Sequence, residues 1–315
     1  MAQALATVSP TLPAEISSTL QAWAIEAREA LSANTQRAYA IDSKAFADWA
    51  APLGLATLPA APATVAAFLR AQAEGKAVAT VRRRAATIAR MHRAAGLPNP
   101  CEHELVRLAL KGIARNRGTD QRQAAPLTER DAVTIRAHLT DSSRDLRDLA
   151  LLLVGRDLLA RASELVAIGA EDLERLEDGM LANVRRRKTS TEARPYFVGP
   201  EATAALSAWL ERSGIKAGAV FCSVTKGGRA TGKPLTTRDV RRILKARAVN
   251  ARLGHAATIS GHSLRVGMAQ DLVAADLDVG SVMQAGGWST PRMVARYTER
   301  ISAKRGAVAK YYGRG

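Results

Sequence analysis

Two arginines, a histidine, a tryptophan and a tyrosine stand out in this chain for their types and spacing. The stretch Gly261-His262-Ser263-Leu264-Arg265-Val266-Gly267 is followed by Gln284-Ala285-Gly286-Gly287-Trp288 and then by Arg296-Tyr297. Far upstream lies Arg161-Ala162-Ser163-Glu164. His262 precedes Arg265 by one helical turn, so a helix can aim both at one point. Side chains of these types suit chemistry at an anionic centre. Guanidinium groups are planar forks for charged oxygens, an indole offers a single N–H donor, and a phenol can act as a nucleophile. A histidine and an arginine at this spacing are weak evidence alone, because the pair is common on helix surfaces. The added tryptophan, tyrosine and distant arginine make the pattern specific.

The elements that must position this set can be read in outline. The chain has 315 residues, enough for two domains that each bury a core. Apolar residues make up 47% and aromatics only 4%, so the cores must be built mainly from Ala, Leu and Val. The first 15 or so residues read as a flexible tail. Helical periodicity runs over 16–50, with Asn34-Thr35 at an N-cap position, and Pro52 and Gly54 break it. Pro62 or Thr64 opens a second helix that ends at Glu74-Gly75. Thr80 is placed to cap the next, whose apolar face is Val81, Ile88 and Met91 and which stops at Gly96 and Pro98. Another helix spans about 102–115. Domain one is therefore helical over 16–115, and the polar stretch 116–125 reads as a linker. Beyond Pro126, helices are expected over 129–140 and 143–159, with a short one over 163–168. A hairpin follows, extended over 180–187 and 196–198 around a polar turn at 189–193. Helices return from Glu201, interrupted by a glycine-rich loop at 226–232.

Lys and Arg total 46 against 29 acidic residues, a formal charge of +17 with a pI near 10.7. Such a surplus favours a polyanion, because each neutralised phosphate releases counterions. Arg82, Arg83, Arg84, Arg90 and Arg93 fall on one predicted helix, which could lie in a major groove. Arg37 and Lys44 on an earlier helix could grip phosphates. Arg238 opens a third helix, with Arg241 and Arg242 behind it, where first-turn amides could face a phosphate. No apolar run reaches the ~18 residues of a membrane span, and no basic and apolar leader is present. Cys101 and Cys222 are far apart and lack metal-ligand spacing, as expected of reduced thiols in a cytosolic protein. Neither a metal nor a cofactor is expected.

Taken together, the motifs resemble the tyrosine recombinase (phage integrase) family, and most closely its Cre-type version, which carries Trp where many relatives have His. The likeness is specific over 261–297 and weaker through the N-terminal half. It implies a mainly α fold: a helical core DNA-binding domain, then a mixed, mostly helical catalytic domain (126–315) with a small antiparallel sheet. It also implies roles. Tyr297 attacks phosphorus and holds DNA as a phosphotyrosine. Arg161 and Arg265 bind the non-bridging oxygens, and His262 and Trp288 share that phosphate. Lys188 on the hairpin, behind Arg185, Arg186 and Arg187, protonates the 5′-hydroxyl leaving group. Glu164 orients the cationic side chains. The chain departs from the family at Leu159-Ala160, where many members have Gly-Leu before the first arginine. Tyr311 and Tyr312 are rival nucleophiles by type but lie beyond the family spacing, and Tyr39 and Tyr196 read as packing residues.

The resemblance further implies a clamp around duplex DNA carrying inverted-repeat sites, and a homo-tetramer that joins two sites through a Holliday junction. It implies no membrane partner, a cytoplasmic location on nucleoid or plasmid, and a C-terminal helix docking into a neighbouring protomer. Its rivals are a type IB topoisomerase or telomere resolvase with the same chemistry, and a DNA-binding protein without catalysis.

Overall fold

The computed structural model describes residues 13–119, 123–184 and 193–313, except the side chains of 300, 302–305, 307 and 310. The chain divides into two compact units between Arg122 and Gln123.

The first unit is built from α1 (Ala14–Ala30), α2 (Ala33–Ala50), α3 (Pro62–Gly75), α4 (Val78–Ala94) and α5 (Glu104–Arg117). Its core joins Val65, Phe68 and Leu69 of α3 to Phe46 of α2, Val81 and Ile88 of α4, and Val106 and Ile113 of α5. Phe46 and Phe68 approach to 4.8 Å between ring centres, with Trp49 at 5.4 Å from Phe68. Local capping corrects two expectations. The 16–50 stretch is two helices, because Ser32, not Asn34 or Thr35, is the N-cap; its hydroxyl accepts the Thr35 amide. The Arg-rich helix begins two residues before Thr80, at Val78, without a side-chain cap. Of the expected tail and linker, 1–12 and 120–122 lie outside the described residues; α1 starts at Ala14 and α5 runs through Arg117.

The second unit holds α6 (Glu129–Arg136), α7 (Ser143–Asp157), the one-turn α8 (Ala162–Leu165), β1 (Leu173–Arg175), β2 (Met180–Val184), β3 (Arg194–Val198) and α9 (Pro200–Ser213). It continues with β4 (Cys222–Val224), β5 (Ala230–Pro234), α10 (Thr237–Asn250), α11 (Ser263–Ala274), α12 (Val279–Gly286), α13 (Arg292–Arg305) and α14 (Ala307–Tyr311). Strands β1, β2 and β3 form an antiparallel sheet in that order, with Val184 opposite Arg194 at the hairpin's open end. The glycine-rich stretch at 226–232 is a turn and strand start joining β4 to β5, not a loop between helices. Its strands are too short and polar to show alternation. The first helix of this unit also ends at Arg136, short of the expected Thr140.

Helix α7 is buried along most of its length and forms the axis of the core with Leu151, Leu152 and Val154. Burying its charged residues requires partners. Arg147 pairs with Asp148 at 2.6 Å, and Arg247 from α10 pairs with Asp148 at 2.7 Å and with Asp145. Arg156 donates to the Leu127 carbonyl and to Asp271 at 2.8 Å, binding the entry to α6 against α11.

Candidate active site

The turn between α7 and α8 sets the first arginine. Leu159 adopts φ 44°, in the left-handed region that suits glycine, and Leu159 is buried. Such a conformation is costly for a side chain and persists only where the surroundings hold it. Arg161 then caps α8. Its amide donates to Glu164 Oε2 at 2.8 Å and its Nη1 to Oε1 at 2.5 Å. Glu164 is nearly fully buried while the Arg161 side chain is 42% exposed, so the guanidinium is tethered at its base and open to solvent.

Arg265 on α11 is only 2% exposed and is the most constrained of the set. Nη1 donates to the carbonyl of Leu159 at 2.7 Å, and Nη2 donates to that of Gly286 at 2.6 Å. Its guanidinium carbon lies 4.3 Å from the centre of the Trp288 ring. That ring in turn stands 5.8 Å from the Tyr297 ring at 58°. An unbroken series of contacts thus runs from the Arg161 turn through Arg265 and Trp288 to Tyr297. Gln270 fastens its far end by donating to the Tyr297 carbonyl at 2.8 Å, which ties α13 to α11.

The glycines of the two motifs serve this geometry. Gly287 closes α12 at φ 63°, and its left-handed turn brings Trp288 back against the helix end. A Cβ on Gly286 would strike the Trp288 ring, and one on Gly267 would enter the Leu127 backbone. His262 stands just before α11. Loss of hydration lowers its pKa below 6.5 first, then the positive charges of Arg265 and Arg161; Glu164 opposes them. Burial and the two arginines thus favour the neutral imidazole, the form that can accept a proton. Tyr297 is half-buried, whereas Tyr311 and Tyr312 are exposed and pack edge to face on each other.

The structure brings Arg161, Glu164, His262, Arg265, Trp288 and Tyr297 into one neighbourhood. Lys188, with Arg185, Arg186 and Arg187, lies outside the described residues. The basic stripes are partly redrawn. Arg82 and Arg83 are exposed on α4, but Arg84 is buried, 3.6 Å from Asp42 and over the Phe68 ring. It is a core cation rather than a DNA-facing one, because the helix turns it to the inner face. Arg90 is half-buried over Trp23. Arg37 bonds Asn34, and Lys44 pairs with Asp48 at 2.7 Å, both at the surface. Arg238, Arg241 and Arg242 are exposed on α10. The first-turn amide of Asp239, however, is taken by Thr236 Oγ1, and the Asp239 carboxylate accepts from Thr236. Those bonds and Arg242 hold the Asp239 pKa at about 2. A fixed carboxylate therefore stands where a phosphate was expected among the amides. Sequence reasoning missed Gln270 and Asp42, whose roles depend on long-range packing. Leu159 it marked only as a departure from the family's glycine, and that residue does take the left-handed turn a glycine suits.

The phage integrase family model matches residues 126–303. The chain is 32% identical over 280 residues to the integrase/recombinase xerD homolog of Selenomonas ruminantium, covering 85% of this chain and 82% of that protein. It is 29% identical over 307 residues to recombinase Cre of Escherichia phage P1, covering 90% and 89%. A solved structure of the Tn1549 transposon integrase with transposon right-end DNA shares the fold, with a TM-score of 0.64 at 14% identity, covering 91% of this chain and 98% of that one.

Proposed function

This chain belongs to the phage integrase family, and on that premise we propose that it is a tyrosine site-specific recombinase working through a 3′-phosphotyrosyl intermediate. The anchoring of Arg265 between the Leu159 and Gly286 carbonyls, against Trp288 and so beside Tyr297, carries the reading. A guanidinium fixed in this way need not reorganise when charge develops on a phosphorane.

In the proposed step the Tyr297 phenolic oxygen attacks phosphorus, the bond from phosphorus to the 5′ oxygen breaks, and the 3′ end stays bound to the enzyme. Neutral His262 accepts the phenolic proton, and Lys188 supplies one to the 5′ oxygen. Arg161 and Arg265 hold the two non-bridging oxygens, and Trp288 adds an indole N–H. Attack by an incoming 5′-hydroxyl on the phosphotyrosine then releases Tyr297 and reseals the strand. Two such exchanges, made pairwise by four protomers on two inverted-repeat sites, pass through a Holliday junction.

Assembly would use the C-terminus, where Val308 and Tyr311 are exposed. A cavity of about 520 Å³, lined in part by Leu159, Tyr196, Phe197, Met268, Leu272 and Ala285, suits apolar side chains from a neighbour. Deleting 302–315 should leave single-site binding intact and impair synapsis and recombination; unimpaired recombination refutes this docking. The function itself is tested with a nicked suicide duplex carrying the selected target. A covalent adduct that disappears in Tyr297→Phe supports catalysis, and DNA binding without an adduct refutes it. Recombinant product, as opposed to relaxed substrate, separates recombinase from topoisomerase.

A further inference from the structure

Asp42 on α2 is a buried carboxylate whose side chain has no solvent exposure, at the seam where α2 meets the Arg-rich α4. It accepts from Nε of Arg83 at 2.9 Å on Oδ2 and from Nη2 at 2.8 Å on Oδ1, the two-pronged geometry of a strong arginine pair. Thr87 donates to Oδ2 at 3.2 Å. Arg84 is also present, with Nε 3.6 Å from Oδ1, beyond hydrogen-bond reach, and that Nε has no hydrogen-bond partner among the described residues.

The distribution of these contacts is informative. Fold stability alone would direct the carboxylate at the buried cation, since an unsatisfied buried group is the costly one. Instead the two-pronged contact goes to Arg83, whose side chain is 52% exposed, and buried Arg84 receives the poorer one. Asp42 uses up one edge of the Arg83 guanidinium. The opposite edge, Nη1 with the second hydrogen of Nη2, makes no hydrogen bond to a described residue. A long side chain ordinarily loses rotamer freedom when it binds; here that loss is incurred on folding.

We propose that Asp42 is a specificity-determining positioning residue, which holds Arg83 so that its outer edge reads a base with two adjacent acceptors, as guanine presents in the major groove. This rests on the recombinase reading, in which α4 faces DNA. Asp42 does not touch DNA; it acts through Arg83.

The test uses the full chain and DNA selected from a random pool, comparing wild type with Arg83→Lys and Asp42→Asn. Lysine keeps the charge and an ion pair with Asp42 but lacks the fork. Both variants should lose base preference by about tenfold or more at the same one or two adjacent base pairs. Preference elsewhere, and the dependence of affinity on salt, should be kept. Loosening spread over every position, or different positions in the two variants, overturns the proposal. Asp42→Glu is the second variant should Asp42→Asn fail to melt cooperatively. It keeps a charge beside Arg84 and displaces the carboxylate by one methylene, so the same base pairs should change; unaltered preference there also overturns it. A wild-type chain that enriches no sequence overturns both this and the recombinase reading, whereas enrichment with unchanged preference in all variants overturns this one alone.

Discussion

Replacing Gly267 with alanine puts a methyl group where the backbone of Leu127 already runs. The added Cβ would penetrate the Leu127 carbonyl and lie 2.9 Å from its nitrogen, closer than real Cβ atoms approach other atoms. The obstacle is main chain, so a rotamer change cannot relieve it. Leu127 donates its amide to the Ser263 carbonyl at 2.9 Å and accepts from Arg156, and retreat of that segment strains both bonds. Overpacking of this kind costs about 1–3 kcal/mol, and a buried hydrogen bond to a charged group about 1.5–3 kcal/mol. Together these give about 2.5–6 kcal/mol, a large share of the ~5–15 kcal/mol that stabilises a domain. For a unit of this size the Tm should fall by about 5–24 °C. Thermal unfolding followed by calorimetry resolves the second unit's transition. Gly112→Ala is the control, since a Cβ there meets nothing within 4 Å on α5; it should stabilise the first unit by about 0.5–1 kcal/mol. A loss of under about 2 °C in Gly267→Ala would refute the packing argument.

Arg265→Lys should keep DNA binding while cutting the rate of covalent adduct formation by about 10²–10³, because one ammonium cannot span two carbonyls as the guanidinium does. An unchanged rate in a rapid-quench assay refutes this. Cleavage that needs neutral His262 should hold steady as pH falls through 6.5 and decline only below it, because the His262 pKa is lowered. Glu164 opposes that lowering, so Glu164→Gln should move the acid limb to still lower pH; movement upward contradicts the assignment. His92 is buried in the first unit, accepting from the Ala60 amide at 2.9 Å, with its pKa lowered mainly by burial. The unfolded chain therefore takes up the proton first. Stability is fully present above about pH 6.5 and is lost below it, by at most about 1.4 kcal/mol per pH unit. Urea unfolding at pH 7.5 and 5.5 should show this loss, and His92→Gln should flatten it; equal pH dependence in the variant refutes the attribution.

Much of the helical framework was legible because its signals are local. Pro62 opens α3, Gly75 stands at its end, and Val81, Ile88 and Met91 recur at helical spacing along α4. Errors gathered where a choice between neighbouring residues is decided by geometry. Ser32, Asn34 and Thr35 are all acceptable caps by type, and only the path of the chain out of α1 puts the Ser32 hydroxyl at the Thr35 amide. Strands β4 and β5 were missed because 226–232 reads as a glycine-rich loop and the strands are too short to show alternation; the antiparallel pairing of Cys222 with Pro234 and Val224 with Ala230 becomes visible only in the fold.

For the site, the amino-acid sequence supplied the candidates through the family resemblance of its motifs: two arginines, a histidine, a tryptophan, a tyrosine and a carboxylate, with Lys188 outside the described residues. Side-chain chemistry and spacing within one helix are properties of the local chain, so they can be read without a fold. The tertiary structure decided which cations look outward and which inward. Arg83 and Arg84 are adjacent and alike in type, yet a helix turns successive residues by about 100°, so one reaches solvent and the other enters the core. It also decided that Leu159 takes a left-handed turn and offers its carbonyl to Arg265, 106 residues away. No local pattern encodes that contact, because its strain is sustained only by the surrounding packing.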